Sequence, residues 1–153
     1  MDVLRDWLTE AELVSIRRID PRLTDDTDDW QLLLSLHHHE RRWEGLITND
    51  SSMLRLAREM AVLMQTKLNL VVADAAGHDP LKATGLVFAH LPWICPRVDP
   101  TKAQVWQLRA NRKDADDPWA LLRSIADHRH LDLQTLYQDA RLTAAELATD
   151  PLA

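Results

Sequence analysis

The period of the apolar residues switches repeatedly along this chain, and each switch narrows the folds open to it. Met53, Leu54, Ala57, Met60, Ala61 and Met64 recur at the i, i+3, i+4 spacing of a helix face. Directly after them, Leu68-Asn69-Leu70-Val71-Val72-Ala73 has the short apolar run of a buried strand. The same pair of patterns occurs on either side. Trp30, Leu33, Leu34 and Leu36 predict a helix that leads into a strand over Glu44-Gly45-Leu46-Ile47-Thr48-Asn49-Asp50. Asp79 as N-cap and Pro80 at the first helical position open another helix through Leu81, Leu86, Val87 and Leu91, with Pro92 and Pro96 limiting its end. Gln104-Val105-Trp106-Gln107-Leu108 then reads as a final edge strand. Upstream, Val3, Leu4, Trp7 and Leu8 have helical spacing, and Ala11-Glu12-Leu13-Val14-Ser15-Ile16 alternates like a half-buried strand ending near Asp20-Pro21.

Strands separated by single helices imply βαβ units, so the expected fold is α/β: a three-layer α/β/α sandwich with a mainly parallel sheet and a helical C-terminal tail. The α/β domain is expected over residues 1–110, a polar linker over 111–118, and a helical extension over 119–153. In that extension Trp119, Leu122, Ile125 and Ala126 form one helix face, and Leu133, Leu136, Tyr137 and Ala140 another. Thr143-Ala144-Ala145-Glu146 has the spacing of a capping box.

Charge and cysteine usage then limit function. With 24 acids against 18 bases the chain carries a net charge of −6, which opposes nonspecific attraction to phosphate backbones or anionic membranes. No apolar run approaches the roughly 20 residues of a membrane span, the start of the chain lacks signal-peptide order, and Cys95 is the single cysteine. A cytoplasmic protein with no membrane partner is expected.

The acids are unevenly placed. Asp20, Asp25, Asp26, Asp28 and Asp29 fall within ten residues, where repulsion would be relieved by a cation, although Asp is also favoured at helix N-termini. Asp20, Asp50 and Asp74 each follow an expected strand, and ligands of parallel sheets bind outside the carboxyl ends of the strands. Asp28 and Asp29, at the start of the next helix, would face the same crevice. Converging carboxylates without basic partners suit a hard cation such as Mg²⁺ or Mn²⁺, the arrangement used in phosphodiester hydrolysis.

Asp28-Asp29-Trp30 opening a helix, followed by Gly45-Leu46-Ile47-Thr48-Asn49-Asp50-Ser51-Ser52-Met53, resembles the second half of a PIN domain, the fold of VapC-type toxin ribonucleases. Gly77-His78-Asp79-Pro80 with Ala83-Thr84-Gly85-Leu86 is similar to the shorter bacterial PIN-like group, and the resemblance spans residues 3–108. It implies a Mg²⁺- or Mn²⁺-dependent endoribonuclease with Asp50 and either Asp28 or Asp29 as catalytic metal ligands, RNA as substrate, and an antitoxin or other protein as partner; Asp74 and Asp20, at the other expected strand ends, would be weaker helpers. The family's apolar first strand ending in Asp has no counterpart here beyond Asp2, so an N-terminally incomplete or degenerate copy is expected. The alternative is then a catalytically incompetent PIN-like module that binds protein. A missing strand would also leave sheet edges unpaired, so self-association is expected. A phosphoacceptor receiver domain with Asp50 as acceptor fits less well, because the acid pair, hydroxyl and lysine of that class are not found in order.

Other residues have competing readings. His37-His38-His39 lie about 100° apart on a helix and cannot converge on one ion, whereas His78 lies near the crevice. Arg17, Arg18, Arg22, Arg41, Arg42, Arg55 and Arg58 are candidate phosphate contacts or plain surface charge. The six tryptophans lie beside aliphatic residues, which favours core packing over base stacking.

Overall fold

The computed structural model describes residues 11–23 and 26–153. The helix expected over residues 3–8, together with Asp2 and Asp25, lies outside them. Three parallel strands form one sheet in the order β1 (Gly45–Thr48), β2 (Asn69–Val72), β3 (Gln104–Gln107). Gly45 pairs with Asn69, which pairs with Gln104, and the register continues to Thr48, Val72 and Gln107. The protein is thus α/β with an all-parallel open sheet. No helix among the described residues is long and apolar enough to cross a membrane.

The expected first strand over residues 11–16 does not form. That segment is irregular and runs into a single helical turn, α1 (Ile16–Ile19). The reason lies in the side chains: Ile16 and Ile19, three residues apart, both pack on the main core, and a turn achieves this whereas alternation does not. In α2 (Asp29–His38), Asp28 stands at the N-cap in extended conformation and Leu33, Leu34 and Leu36 are buried. The helix expected from Met53 is divided. A 3₁₀ segment, Ser51–Arg55, stops at Leu56 in extended conformation before α3 (Ala57–Thr66) begins.

Between β2 and β3 runs α4 (Pro80–Ile94), where the Asp79 carboxylate accepts from the N–H groups of Leu81 and Lys82. Pro92 lies inside this helix and does not end it. Near the C-terminus it removes only one hydrogen bond, and the Cys95 N–H still reaches the Leu91 carbonyl. A 3₁₀ turn, Cys95–Arg97, carries Pro96 and closes the segment.

All four residues of β2 are buried, and they divide by parity between two cores. Leu70 and Val72 join Val105 beneath α2 and α3, while Val71 joins Trp106 beneath Val87, Leu91 and Ile94 of α4. The crossovers through α3 and α4 step along the sheet in the same direction but lie on opposite faces. They therefore have opposite hands, and one departs from the usual right-handed rule.

Residues 111–118 are fixed to the sheet rather than hanging from it. Val105 and Asp116 exchange backbone hydrogen bonds of 3.0 and 2.7 Å, which closes part of the outer edge of β3. Beyond them, α5 (Pro118–Arg129), α6 (Leu133–Ala140) and the short α7 (Ala144–Leu147) are capped by Asp117, Asp132 and the Thr143–Glu146 capping box. Leu122, Ile125, Ala126, Leu136, Ala140 and Leu142 enter the first core. The Gln65 side chain of α3 accepts from the Leu142 N–H and donates to its carbonyl, each at 2.9 Å.

Candidate functional site

The carboxyl ends of three parallel strands bring Asp50, Asp74 and Arg109 to one edge of the sheet, where α2 also begins. At the end of β1 the chain turns through Thr48-Asn49-Asp50. The Asp50 N–H donates to Thr48 Oγ1 at 3.0 Å, and one Asp50 carboxylate oxygen accepts from the Ser52 N–H at 2.8 Å. Asp50 thereby caps the 3₁₀ segment, as acids do at helix starts, while remaining exposed.

Asp29 is half-buried, and burial holds its carboxyl above the usual range; the charges of Asp50 and then Asp28 push in the same direction. Glu59 on α3 is buried, and burial again raises it, opposed by a hydrogen bond from its own backbone N–H and by Arg58, with Asp29 and Asp28 adding to the rise. Asp28, Asp29, Asp50 and Glu59 are therefore one electrostatic group drawn from α2, the β1 end and α3. Sequence reasoning missed Glu59. Its signal was available: an acid three, four and seven residues before Val62, Leu63 and Thr66, on a face that is otherwise buried.

Two other acids read from the sequence stand apart. Asp74 follows β2 as expected but lies 3.5 Å from Arg109, which also donates to Gln107 Oε1 at 3.0 Å. Asp20 does not end a strand. It follows α1 and is hydrogen-bonded to Arg22 through side chain and backbone, which lowers its pKa to about 2. Among the described residues no three His, Cys, Asp or Glu side chains are grouped so as to hold a metal ion.

Most of the candidate phosphate-contacting arginines have acidic or aromatic neighbours. Arg41 pairs with Glu12 and lies 4.7 Å from the Trp43 ring centre; Arg42 is 3.5 Å from Glu44. Arg58 stacks 4.6 Å from the Trp30 ring centre and approaches Glu146 at 3.6 Å. Arg55, at the end of the 3₁₀ segment that Asp50 caps, is exposed.

His38 contacts the Leu147 carbonyl at 2.8 Å, and His37 meets it edge-on, so these rings do not converge on one point. Trp106 is buried, donates to Asn69 Oδ1 at 3.1 Å and meets Trp93 edge-to-face, as core packing requires. No family model matches the chain, and neither a curated protein nor a solved structure matches it.

Proposed function

We propose that this chain is a PIN-like, three-layer α/β/α module whose carboxylates at the C-terminal edge of the sheet serve divalent-metal-dependent cleavage of RNA. On this reading it acts in the cytoplasm as the toxin half of a toxin–antitoxin pair. The observation that carries the reading is the shared electrostatics of Asp28, Asp29, Asp50 and Glu59 at the strand ends, where burial and mutual repulsion raise Asp29 and Glu59. All these donors are hard oxygens. With no described group of three, a closed cage is not available, and the fit is to Mg²⁺ or Mn²⁺ held by Asp29 and Asp50. Such ions commonly keep several waters and take one or two carboxylates together with a substrate phosphate.

When bound, a cation of this kind lowers the pKa of an attacking water and offsets charge on the phosphate and leaving oxygen. The chain's own residues perform the positioning. Thr48 Oγ1 accepts from the Asp50 N–H and fixes the turn, while the Ser52 N–H donates to one Asp50 carboxylate oxygen; on this reading the other oxygen serves the cation. Arg55, exposed five residues on, is a candidate phosphate contact.

The test is cleavage of single-stranded RNA with Mg²⁺ or Mn²⁺, using EDTA and Asp50→Asn as controls. Asn retains an oxygen for the Ser52 N–H, so folding is preserved while the charge is lost. Activity is expected to fall by roughly 100-fold or more, since even outer-shell partners of a metal contribute 10–100-fold. Cleavage unchanged in Asp50→Asn would remove that residue from the mechanism. A second reading is a catalytically incompetent module that binds protein. Its signature is a stable complex with no divalent-dependent cleavage.

A further inference from the structure

We propose that the N-terminal segment bearing Val3, Leu4, Trp7 and Leu8 seats those four side chains in the apolar groove between β1 and α4, and so completes the cover on that face of the sheet. A parallel sheet is normally covered on both faces. Here the two faces are unequal. Leu70, Val72 and Val105 share a core with side chains of α2, α3, α5 and α6, whereas Val71 and Trp106, among the described residues, meet those of one long helix, α4. Ile47, the β1 residue in register with Val71, packs against this smaller core and is only half-buried.

Two cavities that share Leu13, Trp43 and Ile47 mark the space left on this side. One, of about 620 Å³, continues between Ile16 and Val87; the other, of about 550 Å³, continues to Leu91, Ile94 and Val98. Leu13 is 44% exposed although it borders both. Trp43 Nε1 is buried with no hydrogen-bond partner among the described residues. A buried donor of this kind calls for an acceptor, which the backbone carbonyls of a segment lying in the groove supply.

The course of the chain selects the occupant. Ala11, the first described residue, lines the second cavity, and Glu12 after it is paired with Arg41 in the same lining. Leu8 stands three residues before Ala11, and three residues reach at most about 11 Å. Its sequence suits the place: Val3, Leu4, Trp7 and Leu8 fall on one side at helical spacing, with Asp2, Arg5, Asp6 and Thr9 on the rest. Covalent attachment beside the groove also favours this segment over any free partner, because its binding is intramolecular. The inference does not depend on the cleavage of RNA.

The test is amide hydrogen exchange of the full chain over a range of protein concentrations, with maleimide labelling of Cys95, which lines the second cavity, as a second readout. The Trp7 and Leu8 amides are expected to be protected equally at every concentration. Trp7→Asp should abolish that protection and speed Cys95 labelling by about tenfold or more, the scale set by burial of one large apolar side chain. The Val62 and Leu63 amides of α3, in the other core, should keep their protection, which separates release of the segment from unfolding. Leu4→Ala gives a milder form of the same change, and Asp2→Asn, on the polar side, should alter neither readout. Exchange of Trp7 and Leu8 in the parent at the rate of a free peptide overturns the inference. So does protection that rises with concentration, which would place the segment on a second copy, or Cys95 labelling that Trp7→Asp leaves unchanged.

Discussion

Replacing Leu122 by Ala tests whether the C-terminal helices are part of the same folding unit as the sheet. Leu122 is fully buried on α5 and lies in one core with Met60 and Leu63 of α3 and with Leu70 and Val72 of β2. Truncating such a leucine costs about 3–5 kcal/mol, the transfer of the lost carbons plus the cavity they leave. For a chain of this size each kcal/mol lowers the melting temperature by about 2–4 °C, so a fall on the order of 10 °C is expected. Calorimetry and circular dichroism should show one transition, shifted as a whole, with the amides of Leu70 and Val72 exchanging faster in proportion. Leu131→Ala, at a side chain 50% exposed, is the control and should stay within about 0.5 kcal/mol of the parent. Two transitions, only one of them moved by Leu122→Ala, would refute the shared core.

Glu59→Gln should stabilise the protein at pH 7. Burial and the neighbouring aspartates raise the Glu59 carboxyl above its ordinary 4.5, so the native state binds more protons than the unfolded state just above that value. Stability then falls as pH rises through the window, the cost is fully present at neutral pH, and the gain from Gln should disappear near pH 4; urea midpoints equally shifted at both pH values would contradict this. Gly45→Ala should be strongly destabilising, because a Cβ there would stand 2.2 Å from the Asn69 carbonyl oxygen across the β1–β2 ladder. A loss of about 1–3 kcal/mol or more is expected in urea melts, since backbone cannot yield as a side chain does; parent-like stability would mean that the strands do not approach so closely.

The parts of this fold legible in the sequence were those decided by local chemistry. Asp79 and Thr143 cap their helices because a side-chain oxygen reaches N–H groups two or three residues on, whatever the rest of the chain does. The three strands were legible because runs such as Leu70-Val71-Val72 are apolar on both faces and stop at polar residues. Residues 11–16 were not, since six residues with weak alternation also satisfy a helical turn, and the contact of Ile16 and Ile19 with a distant core decided between them. The opposite hands of the two crossovers leave no mark in the local pattern, because both helices present an apolar face.

The candidate site divides along the same line, between carboxylates beside a basic partner and carboxylates crowded by burial and like charge. Asp20, Asp50 and Asp74 look alike in sequence, each an acid after an apolar run. Arg22, two residues past Asp20, draws that carboxyl down to a pKa of about 2, and a group so well satisfied gains little from a cation. Asp74 finds Arg109, 35 residues away, a partner that only the parallel pairing of β2 with β3 supplies. Asp29 and Glu59 move in the opposite direction, because burial and like charge act on them together. Burial and like charge therefore coincide at Asp29 and Glu59. The residue that completes this group, Glu59, sits on the face of α3 that apolar periodicity assigns to the core, where a search for exposed acids does not look.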